Sequence, residues 1–233
     1  MARSVAVVTG GTGGLGGEVV HALVRGGWRV HVPWVTEVEA ERLRERIGGA
    51  NAVALHRTDL TDPDSVAALF AAVQAEDGGL DLLCNLVGGF AMGAIEDTDV
   101  DTWNRMWAAN ATAPFLAMRA AVPLLEAAPV GRIVNVAAAA ALGAPIGGMS
   151  AYLAAKSALV SLTKNLAREF GPRGVTVNAV APTTIDTPAN RKAMPDADRG
   201  TWISAEEIAE VILFLAGPAA GVVTGNVLEL RKG

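Results

Sequence analysis

Cysteine and excess positive charge are what this 233-residue chain most clearly lacks. Cys84 is the only cysteine, which excludes an intrachain disulfide and a cysteine-rich zinc or iron–sulfur centre, and we predict no metal site. Acidic residues outnumber basic residues by 24 to 19, the formal net charge is −5, and there is no basic run. Because a nucleic-acid-binding protein needs a basic patch to neutralise phosphates, no nucleic-acid partner is expected.

A membrane-spanning segment is also missing from the sequence. The longest stretch without a charged residue, residues 133–155, is interrupted by asparagine, glycine, proline and serine. A membrane span requires about 20 consecutive, mainly apolar residues. The amino-terminal residues lack the basic, apolar and cleavage regions of a signal peptide. We therefore expect a soluble, cytoplasmic protein with no membrane partner.

Hydrophobic residues are plentiful, at 51% of the chain against 18% charged residues, so a single domain over residues 1–233 can bury a sizeable core. Short apolar segments alternate with segments of helical periodicity, which is typical of βα units that build a parallel sheet. The sequence predicts an α/β fold: one Rossmann-type, doubly wound parallel sheet of about seven strands with helices on both faces. The predicted strands are Val5–Thr9, Arg29–Pro33, Ala52–His56, Leu80–Leu86, Arg132–Val136, Val175–Val180 and Val227–Leu230. The predicted helices are 14–25, 37–47, 62–76, 99–126, 150–170 and 204–216.

A glycine-rich segment joins the first predicted strand to the first predicted helix. It reads Thr9-Gly10-Gly11-Thr12-Gly13-Gly14-Leu15-Gly16-Gly17. Residues without a Cβ let the backbone turn sharply, approach a pyrophosphate and direct the first N–H groups of the helix toward its charge. Because strand, loop and helix occur in this order, the segment predicts dinucleotide binding, with Gly10, Gly14 and Gly16 at the important positions.

The end of the second strand usually carries the carboxylate that binds the adenosine ribose. Trp34 occupies that position here, so nothing repels a 2′-phosphate, and Thr36 can hydrogen-bond one. Trp34 can alternatively be an aromatic side chain that only packs beside the adenine. The sequence therefore favours NADP over NAD. Asp59 and Leu60, after the third strand, can contact the adenine, although an aspartate before a helix is as often an ordinary cap.

Tyr152 is the only tyrosine of the chain, and Lys156 follows it at the i+4 position. On a helix this spacing places both side chains on one face. An ammonium group close to a phenol favours the phenolate and lowers the phenol's pKa toward the range in which acid–base catalysis works. Such a pair is more often an exposed polar face, but here it follows the fifth strand of a dinucleotide-type sheet. We therefore predict that the pair is catalytic.

In its motifs and their order, the chain resembles the short-chain dehydrogenase/reductase family over essentially its whole length. The matching positions are the Thr9–Gly16 loop, Asp59, the segment 85–88, Asn110, Tyr152 with Lys156, and the segment 178–182 with Thr187 beyond it. The resemblance implies a single dinucleotide-binding catalytic domain that transfers hydride with NAD or NADP. It implies that Tyr152 donates or accepts the proton, that Lys156 holds the nicotinamide ribose and tunes the phenol, and that Asn110 anchors a water relay.

The resemblance also implies which other residues line the cofactor. Ile185 and Thr187 would meet the carboxamide, and Asn85 and Gly88 would lie along the cofactor and steady the sheet. The complete set implied for cofactor binding is Gly10, Thr12, Gly14, Leu15, Gly16, Trp34, Thr36, Asp59, Leu60, Asn85, Val87, Gly88, Tyr152, Lys156, Pro182, Ile185 and Thr187.

One departure from the family concerns the serine that binds the substrate oxygen at the end of the fifth strand. Ala138 and Ala139 stand in this region, and neither has a hydroxyl group. Loss of one such donor can cost about 10²–10³ in rate. The quinonoid dihydropteridine reductases of the family also lack the serine, and residues 186–198 with Trp202 resemble the corresponding segment of those enzymes. A small carbonyl substrate and an imine or quinonoid, dihydropteridine-like substrate therefore both stay open.

Two further expectations concern partners and activity. The resemblance implies a homodimer or homotetramer that pairs through the helices over 99–126 and 150–170, with the last strand in a further contact. An alternative to an enzyme is a catalytically weak dinucleotide-binding sensor or scaffold, which the alanine run at 137–141 would suggest. The presence of Tyr152, Lys156 and Asn110 argues against this alternative.

Overall fold

The computed structural model describes residues 3–47, 52–143 and 146–232, and these residues form a parallel α/β sheet structure. Seven parallel strands lie in the order β3-β2-β1-β4-β5-β6-β9, and β7 pairs with β8 in a small second sheet. The strands are β1 Val5–Thr9, β2 Arg29–Trp34, β3 Val53–Arg57, β4 Leu82–Asn85, β5 Gly131–Val136, β6 Val175–Pro182, β7 Ile185–Asp186, β8 Ile203–Ser204 and β9 Val227–Leu230. The α-helices are α1 Gly14–Arg25, α2 Glu37–Arg46, α3 Pro63–Asp77, α4 Val100–Trp107, α5 Ala113–Ala127, α6 Ser150–Phe170, α7 Pro188–Ala193 and α8 Ala205–Ala216.

The central strands are buried on both faces, because helices cover both sides of the large sheet. One apolar cluster packs α3, α5 and α6 against one face, and the other packs α1 and α8 against the opposite face. Every residue of β1, β4, β5 and β6 is buried, including the thiol of Cys84 in β4. Their apolar runs therefore lack the in–out alternation of strands that face water on one side.

Side-chain caps fix the starts of two helices, α3 and α8. Asp62 accepts a hydrogen bond from the backbone N–H of Asp64 at the start of α3, where Pro63 is the first helical residue. Ser204 and Glu207 form a reciprocal capping box at the start of α8. Both arrangements satisfy backbone N–H groups that the first helical turn leaves without partners.

The order of the strands reverses between β1 and β4, which are adjacent in the sheet. In open parallel sheets this reversal opens a crevice beyond the carboxyl ends of the strands, and ligands bind there. The Thr9 hydroxyl closes the junction by accepting hydrogen bonds from the backbone N–H groups of Leu86 and Val87 at 3.2 and 3.3 Å. The α/β class and the seven-stranded sheet predicted from the sequence are confirmed.

The fold differs from the sequence prediction in several places. The predicted helix over 99–126 contains a π-helical turn, Ala108–Thr112, between α4 and α5. The predicted strand Leu80–Leu86 is shorter in the structure, at Leu82–Asn85, whereas the sixth strand extends to Pro182. The region between β6 and α8 contains α7 and the small β7–β8 sheet.

Among the helices of the described ranges, none combines the length and the apolar character that a membrane crossing requires.

Candidate active site

The glycine loop between β1 and α1 is shaped by contacts that admit no side chain. Gly10 has a φ of 68°, in the left-handed region that favours glycine, and a Cβ there would lie 2.8 Å from the backbone nitrogen of Val87. A Cβ on Gly16 would lie 2.0 Å from the carbonyl oxygen of Gly10. The first turn of α1 contains no acidic residue, so the N-terminal end of the helix is electrostatically open to an anion.

Gly88 brings the candidate catalytic side chains together beyond the end of β4. A Cβ at this position would lie 2.8 Å from Asn110 Oδ1 and 3.3 Å from Lys156 Nζ. Asn110 and Lys156, which are far apart in sequence and on different helices, therefore both lie against the same backbone segment. Three residues that the sequence analysis singled out, Gly88, Asn110 and Lys156, thus lie next to one another.

The π-helical turn presents the Asn110 side chain to this segment. Asn110 is fully buried, and its Nδ2 donates hydrogen bonds to the carbonyl oxygens of Met106 and Gly89, each at 3.0 Å. Its Oδ1 accepts from the Gly89 N–H at 3.3 Å. The wider π turn disturbs the regular helical ladder, and the amide of Asn110 bonds to the carbonyl of Met106 within it. Asn110 is thus fixed between α4 and the loop after β4.

Lys156 is buried on α6, one turn after Tyr152. Its Nζ donates a 2.7 Å hydrogen bond to the carbonyl oxygen of Val136 at the end of β5. Burial lowers the pKa of Lys156 to about 8, because the ammonium form loses its hydration. The hydrogen bond to the Val136 carbonyl oxygen holds Nζ at the carboxyl ends of the strands.

Burial also raises the pKa of Tyr152 to about 12. This is the opposite of the expectation that a neighbouring ammonium lowers the phenol's pKa, and the physical reason is that burial deprives the phenolate of its hydration. The ring of Tyr152 packs edge-on against Phe90, with 5.0 Å between ring centroids and 78° between ring planes. In the chain alone, Tyr152 is therefore a protonated phenol, the form that donates a proton.

The position of the family's serine is occupied by methyl groups. Ala138 follows the end of β5, and Ala139 begins a 3₁₀ turn over Ala139–Ala141. Both alanines are buried, at 8% and 9% exposed. The site therefore has no hydroxyl from these two positions to donate to a substrate oxygen.

The segment after β6 covers the glycine loop. A Cβ on Gly14 would lie 3.0 Å from Thr187 Cγ2, so Thr187 stands against the loop. The Thr187 hydroxyl also caps α7 by accepting from the Asn190 N–H, and Asn190 Nδ2 donates to the carbonyl of Ile185 at 2.8 Å. Pro182 ends β6 directly before this segment. The structure thus places Thr187 against Gly14. Contact of Ile185 and Thr187 with the carboxamide stays a prediction.

The residues expected around the adenosine lie at the ends of β2 and β3. Trp34 ends β2, half-buried, and its Nε1 has no hydrogen-bond partner among the described residues. Thr36 is the residue before α2, and its hydroxyl does not cap that helix. Asp59 accepts from both the N–H and the hydroxyl of Thr61, which lowers the pKa of Asp59. Asp59 therefore forms a local turn, and the backbone after it leads to the buried Leu60.

A buried polar network, of which the sequence analysis named only Asn85, supports the site from within the sheet. Asn85 Nδ2 donates to Asn135 Oδ1 at 2.9 Å, and Asn135 Nδ2 donates to the Thr163 hydroxyl at 2.9 Å. The network joins β4 and β5, which end just before Gly88 and the alanine pair, to α6, which carries Tyr152. An asparagine within the otherwise apolar segment Ile133–Val136 is the sequence signal that points to it.

These residues fit a nicotinamide dinucleotide. At Gly10 and Gly16 the loop leaves room for backbone but none for a side chain, beside an N-terminus that attracts a pyrophosphate. Asn85 Oδ1, buried at the carboxyl end of β4, has no partner among the described residues. Thr12 and Leu15 belong to the loop itself, and Val87 binds Thr9 through its N–H. Loop, cluster and covering segment all lie beyond the carboxyl ends of the strands, where one extended ligand can touch them.

Comparison with known proteins finds dehydrogenases that are similar to nearly the whole chain. The family model of the short chain dehydrogenases matches residues 4–198. A D-beta-hydroxybutyrate dehydrogenase of Rhizobium meliloti (strain 1021) is 32% identical over 98% of this chain and 97% of its own length. A cis-4-hydroxycyclohexanecarboxylate dehydrogenase of Sinomonas cyclohexanicum is 36% identical over 100% of this chain and 96% of its own. A solved short-chain dehydrogenase/reductase from Serratia marcescens BCRC 10948 has a TM-score of 0.88 at 33% identity, over 98% of this chain and 96% of that one.

The chain belongs to the short-chain dehydrogenase/reductase family. It is an oxidoreductase with a Rossmann fold, of a family that uses NAD or NADP with hydroxyl or carbonyl substrates.

Proposed function

We propose that the protein catalyses NADP(H)-linked interconversion of a small secondary alcohol and its carbonyl compound. The observation that carries the proposal is that Lys156 and Asn110 both lie against Gly88, next to the glycine loop. Tyr152, one turn before Lys156 on α6, packs against Phe90 in the same segment after β4. When bound, the nicotinamide exchanges the hydride with the substrate carbon. The named functions of relatives such as the D-beta-hydroxybutyrate dehydrogenase support an alcohol or ketone substrate.

The side chains divide the remaining work between them. Tyr152 donates the proton to the substrate oxygen during reduction, since its raised pKa keeps the phenol protonated. Lys156, fixed by the carbonyl of Val136, binds the ribose of the cofactor and keeps charge close to the phenol. Asn110 is the anchor of a water relay that returns a proton toward this pair. Gly10, Gly14 and Gly16 accommodate the pyrophosphate, and Ile185 and Thr187 meet the carboxamide.

A second candidate function is reduction of an imine or quinonoid, dihydropteridine-like ring. The specific observation in its favour is the pair of buried methyl groups at Ala138 and Ala139, where the family has a hydroxyl donor. A conjugated C=N group can be protonated by Tyr152 alone and needs no second donor on a carbonyl oxygen. The chemistry after hydride transfer is otherwise the same.

A substrate assay in two arms tests the choice between these functions. NADPH and NADH oxidation would be followed with a panel of small ketones and with a quinonoid dihydropterin. The variant Ala138→Ser restores a hydroxyl, and Ala141→Ser on the same 3₁₀ turn is the matched control. We expect Ala138→Ser to raise ketone reduction, because it adds the missing donor, by up to about 10²-fold.

The outcomes of this assay separate the two proposals. A wild-type protein that reduces the dihydropterin rapidly and ketones only in trace amounts, with Ala138→Ser leaving the dihydropterin rate unchanged, would overturn the carbonyl proposal in favour of the second one. No oxidation of either cofactor with any substrate would overturn both and would favour the sensor alternative.

We also propose that the protein is a homo-oligomer that pairs through α4, α5 and α6. An open apolar groove of about 400 Å³ lies between the π-helical turn, α5 and α6, lined by Trp107, Ala111, Thr112, Phe115, Ala158, Ser161 and Leu162. Phe115 and, beside the groove, Trp103 are 44% and 40% exposed. Large apolar side chains exposed together on one helical surface are typical of a surface that a second subunit covers.

A further inference from the structure

Two of the chain's three histidines lie side by side on β2 and β3, apart from the active site. His31 Nδ1 and His56 Nε2 are 2.8 Å apart, and the two rings stack with 5.1 Å between centroids. His31 is fully buried, and His56 is half-buried on the outermost strand of the sheet. The two imidazole nitrogens therefore face each other at a distance that a shared proton or a shared cation can bridge.

Asp77, at the end of α3, determines which nitrogen of His31 is available. His31 Nε2 is 2.7 Å from Asp77 Oδ2, and an ionised carboxylate only accepts hydrogen bonds. The proton of neutral His31 is therefore on Nε2, and the lone pair of Nδ1 points toward His56. A carboxylate that holds the outer N–H of a histidine while the other nitrogen binds an ion is the usual support of a metal-ligating histidine.

Glu76, next to Asp77, supplies a third donor. Its carboxylate, His31 and His56 each offer one ligand atom, and these three atoms lie within 4.8 Å of one another. Ligand atoms bound about 2 Å from one tetrahedral ion are roughly 3.3 Å apart, so the histidine nitrogens must separate by about half an ångström and Glu76 must approach. The Glu76 side chain is 43% exposed and His56 lies on an edge strand, so both have room for this movement.

The charges around the cluster leave it with a net negative charge. Arg29 lies 3.2 Å from Glu76 Oε2 and 3.1 Å from Asp77 Oδ2, so one positive charge faces two carboxylates. Burial lowers the pKa of both His31 and His56, partly opposed by Asp77 for His31 and by Glu76 for His56. At neutral pH the imidazoles are neutral, which is the form that binds metals, and a divalent cation would replace a net charge of about −1 by about +1.

We propose that His31, His56 and Glu76 form a binding site for a divalent transition-metal ion of the zinc type, with Asp77 as the positioning residue of His31. Two imidazoles and one carboxylate are ligands that suit Zn²⁺ and Co²⁺ and do not suit Mg²⁺ or Ca²⁺, which prefer all-oxygen sites. Bound metal would join β2, β3 and the end of α3. The site is separate from the proposed hydride-transfer chemistry, because its ligands lie on β2, β3 and the end of α3, whereas Tyr152 and Lys156 lie on α6 and Asn110 lies on the π-helical turn.

Metal titration of the full-length protein tests the proposal. After treatment with a chelator and its removal, the protein would be titrated with Zn²⁺ by calorimetry and with Co²⁺ by visible absorption, with Mg²⁺ as a third arm. We expect one Zn²⁺ per chain, Co²⁺ d–d bands of a nitrogen- and oxygen-ligated site, a rise in melting temperature with Zn²⁺, and no heat with Mg²⁺.

Single variants show whether the metal is at this cluster. His56→Gln and Glu76→Gln should each weaken Zn²⁺ binding more than tenfold and change the Co²⁺ spectrum. His21→Gln removes the only histidine outside the cluster and is the matched control, with wild-type binding expected. Asp77→Asn should weaken binding about 10–100-fold while the positions of the Co²⁺ bands stay nearly unchanged, as expected of a positioning residue.

Three results would overturn the proposal: no saturable Zn²⁺ or Co²⁺ binding by the wild-type protein at micromolar concentrations, binding that survives in His56→Gln, or binding that His21→Gln abolishes. Circular dichroism of each variant shows that lost binding is not lost folding. Nicotinamide cofactor binding, measured separately, is expected to persist in all four variants, so failure here is distinguishable from failure of the proposed function.

Discussion

The hydroxyl of Tyr152 is protonated throughout the neutral pH range, because burial raises its pKa to about 12. Tyr152→Phe removes only this hydroxyl and keeps the ring packed against Phe90. Cofactor affinity and melting temperature should stay close to those of the wild type, while kcat with the true substrate falls by about 10²–10⁴, the usual contribution of a general acid. Steady-state kinetics and calorimetry check the prediction, and full activity of the variant would show that the proton comes from another source.

Lys156 makes stability depend on pH in a defined direction. Its pKa is about 8 in the folded chain against 10.5 for an ordinary lysine, so between these values the unfolded chain binds more protons than the folded chain. The free energy of unfolding must then rise with pH in that window, relative to a variant that cannot titrate there. Urea unfolding would be measured for the wild type and for Lys156→Met across pH 7–10.5. The free energy of unfolding of the wild type minus that of the variant should rise above about pH 8. A constant difference would mean that Lys156 has an ordinary pKa.

Trp34 determines the cofactor preference that we expect. Without a carboxylate at the end of β2, NADPH should be used at least as well as NADH. Trp34→Asp adds a partner for the ribose hydroxyls and repels a 2′-phosphate, and should shift the ratio of kcat/KM toward NADH by at least tenfold. Trp34→Phe, which stays apolar, is the control. A wild type with hundredfold NADH preference would contradict our interpretation of Trp34.

The sequence identifies the candidate catalytic residues more reliably than it predicts their ionisation. Tyr152 and Lys156 are recognised by their spacing, and their place after the fifth strand puts them at the carboxyl edge of the sheet. The pKa of Tyr152 depends on how much water reaches it, which is set by Phe90 and the loops, and spacing contains no such information. For this reason the lowered pKa expected from Lys156 is not found in the cofactor-free chain.

At the scale of the element, we expect two glycines at the start of α1 to have different roles: Gly16 is needed for folding, and Gly14 is needed for cofactor binding. A Cβ on Gly16 would collide with the Gly10 carbonyl, which is backbone, whereas a Cβ on Gly14 would meet the Thr187 side chain. Gly16→Ala should therefore destabilise the fold by about 1–3 kcal/mol or more. Gly14→Ala should leave stability nearly unchanged, and Gly14→Val should weaken NADPH binding, because the branched side chain fills the space at the start of α1. Urea unfolding and calorimetric titration of the three variants check this pattern.

The π-helical turn shows what periodicity cannot predict about an element. The apolar pattern over 99–126 is continuous, and it correctly predicts helix at both ends. The extra residue in the turn is recognisable only from the backbone, where the N–H of Ala113 donates to the carbonyl of Ala108, five residues before it. The small β7–β8 sheet is missed for a related reason: two-residue strands are too short to show alternation.

For the whole molecule, pairing of subunits is the principal expectation. Phe115→Glu places a charge in the groove between α5 and α6 and should weaken self-association more than tenfold, in the range of an interface hot spot. Phe214→Glu, at a similarly exposed phenylalanine on α8, should leave that pairing intact. Light scattering over a range of concentrations distinguishes the two variants. A wild type that is monodisperse and monomeric at micromolar concentration would contradict the expectation.

The topology of the whole molecule follows from the sequence because the strands of the large sheet are mainly apolar segments, each separated from the next by a helical stretch. Right-handed crossover connections then leave few ways to arrange such units. The histidine cluster could not be predicted in the same way. His31 and His56 lie in different strands, and their side chains meet the end of α3 only through the pairing of β2 with β3 and the packing of that helix.

The reactivity of the Cys84 thiol reports how often the central sheet opens. The thiol is fully buried in β4 at the centre of the sheet, and burial raises its pKa far above neutrality, whereas thiol reagents attack the thiolate. A reagent can therefore modify the protein only when the centre of the sheet separates, and because the chain has one cysteine, every modification event reports that separation. A cofactor at concentration [L] that binds the folded state and not the opened state must slow the modification by the factor 1 + [L]/Kd. This factor is about tenfold when [L] is about ten times Kd. The rate of thiol modification thus measures cofactor affinity without a substrate and without turnover.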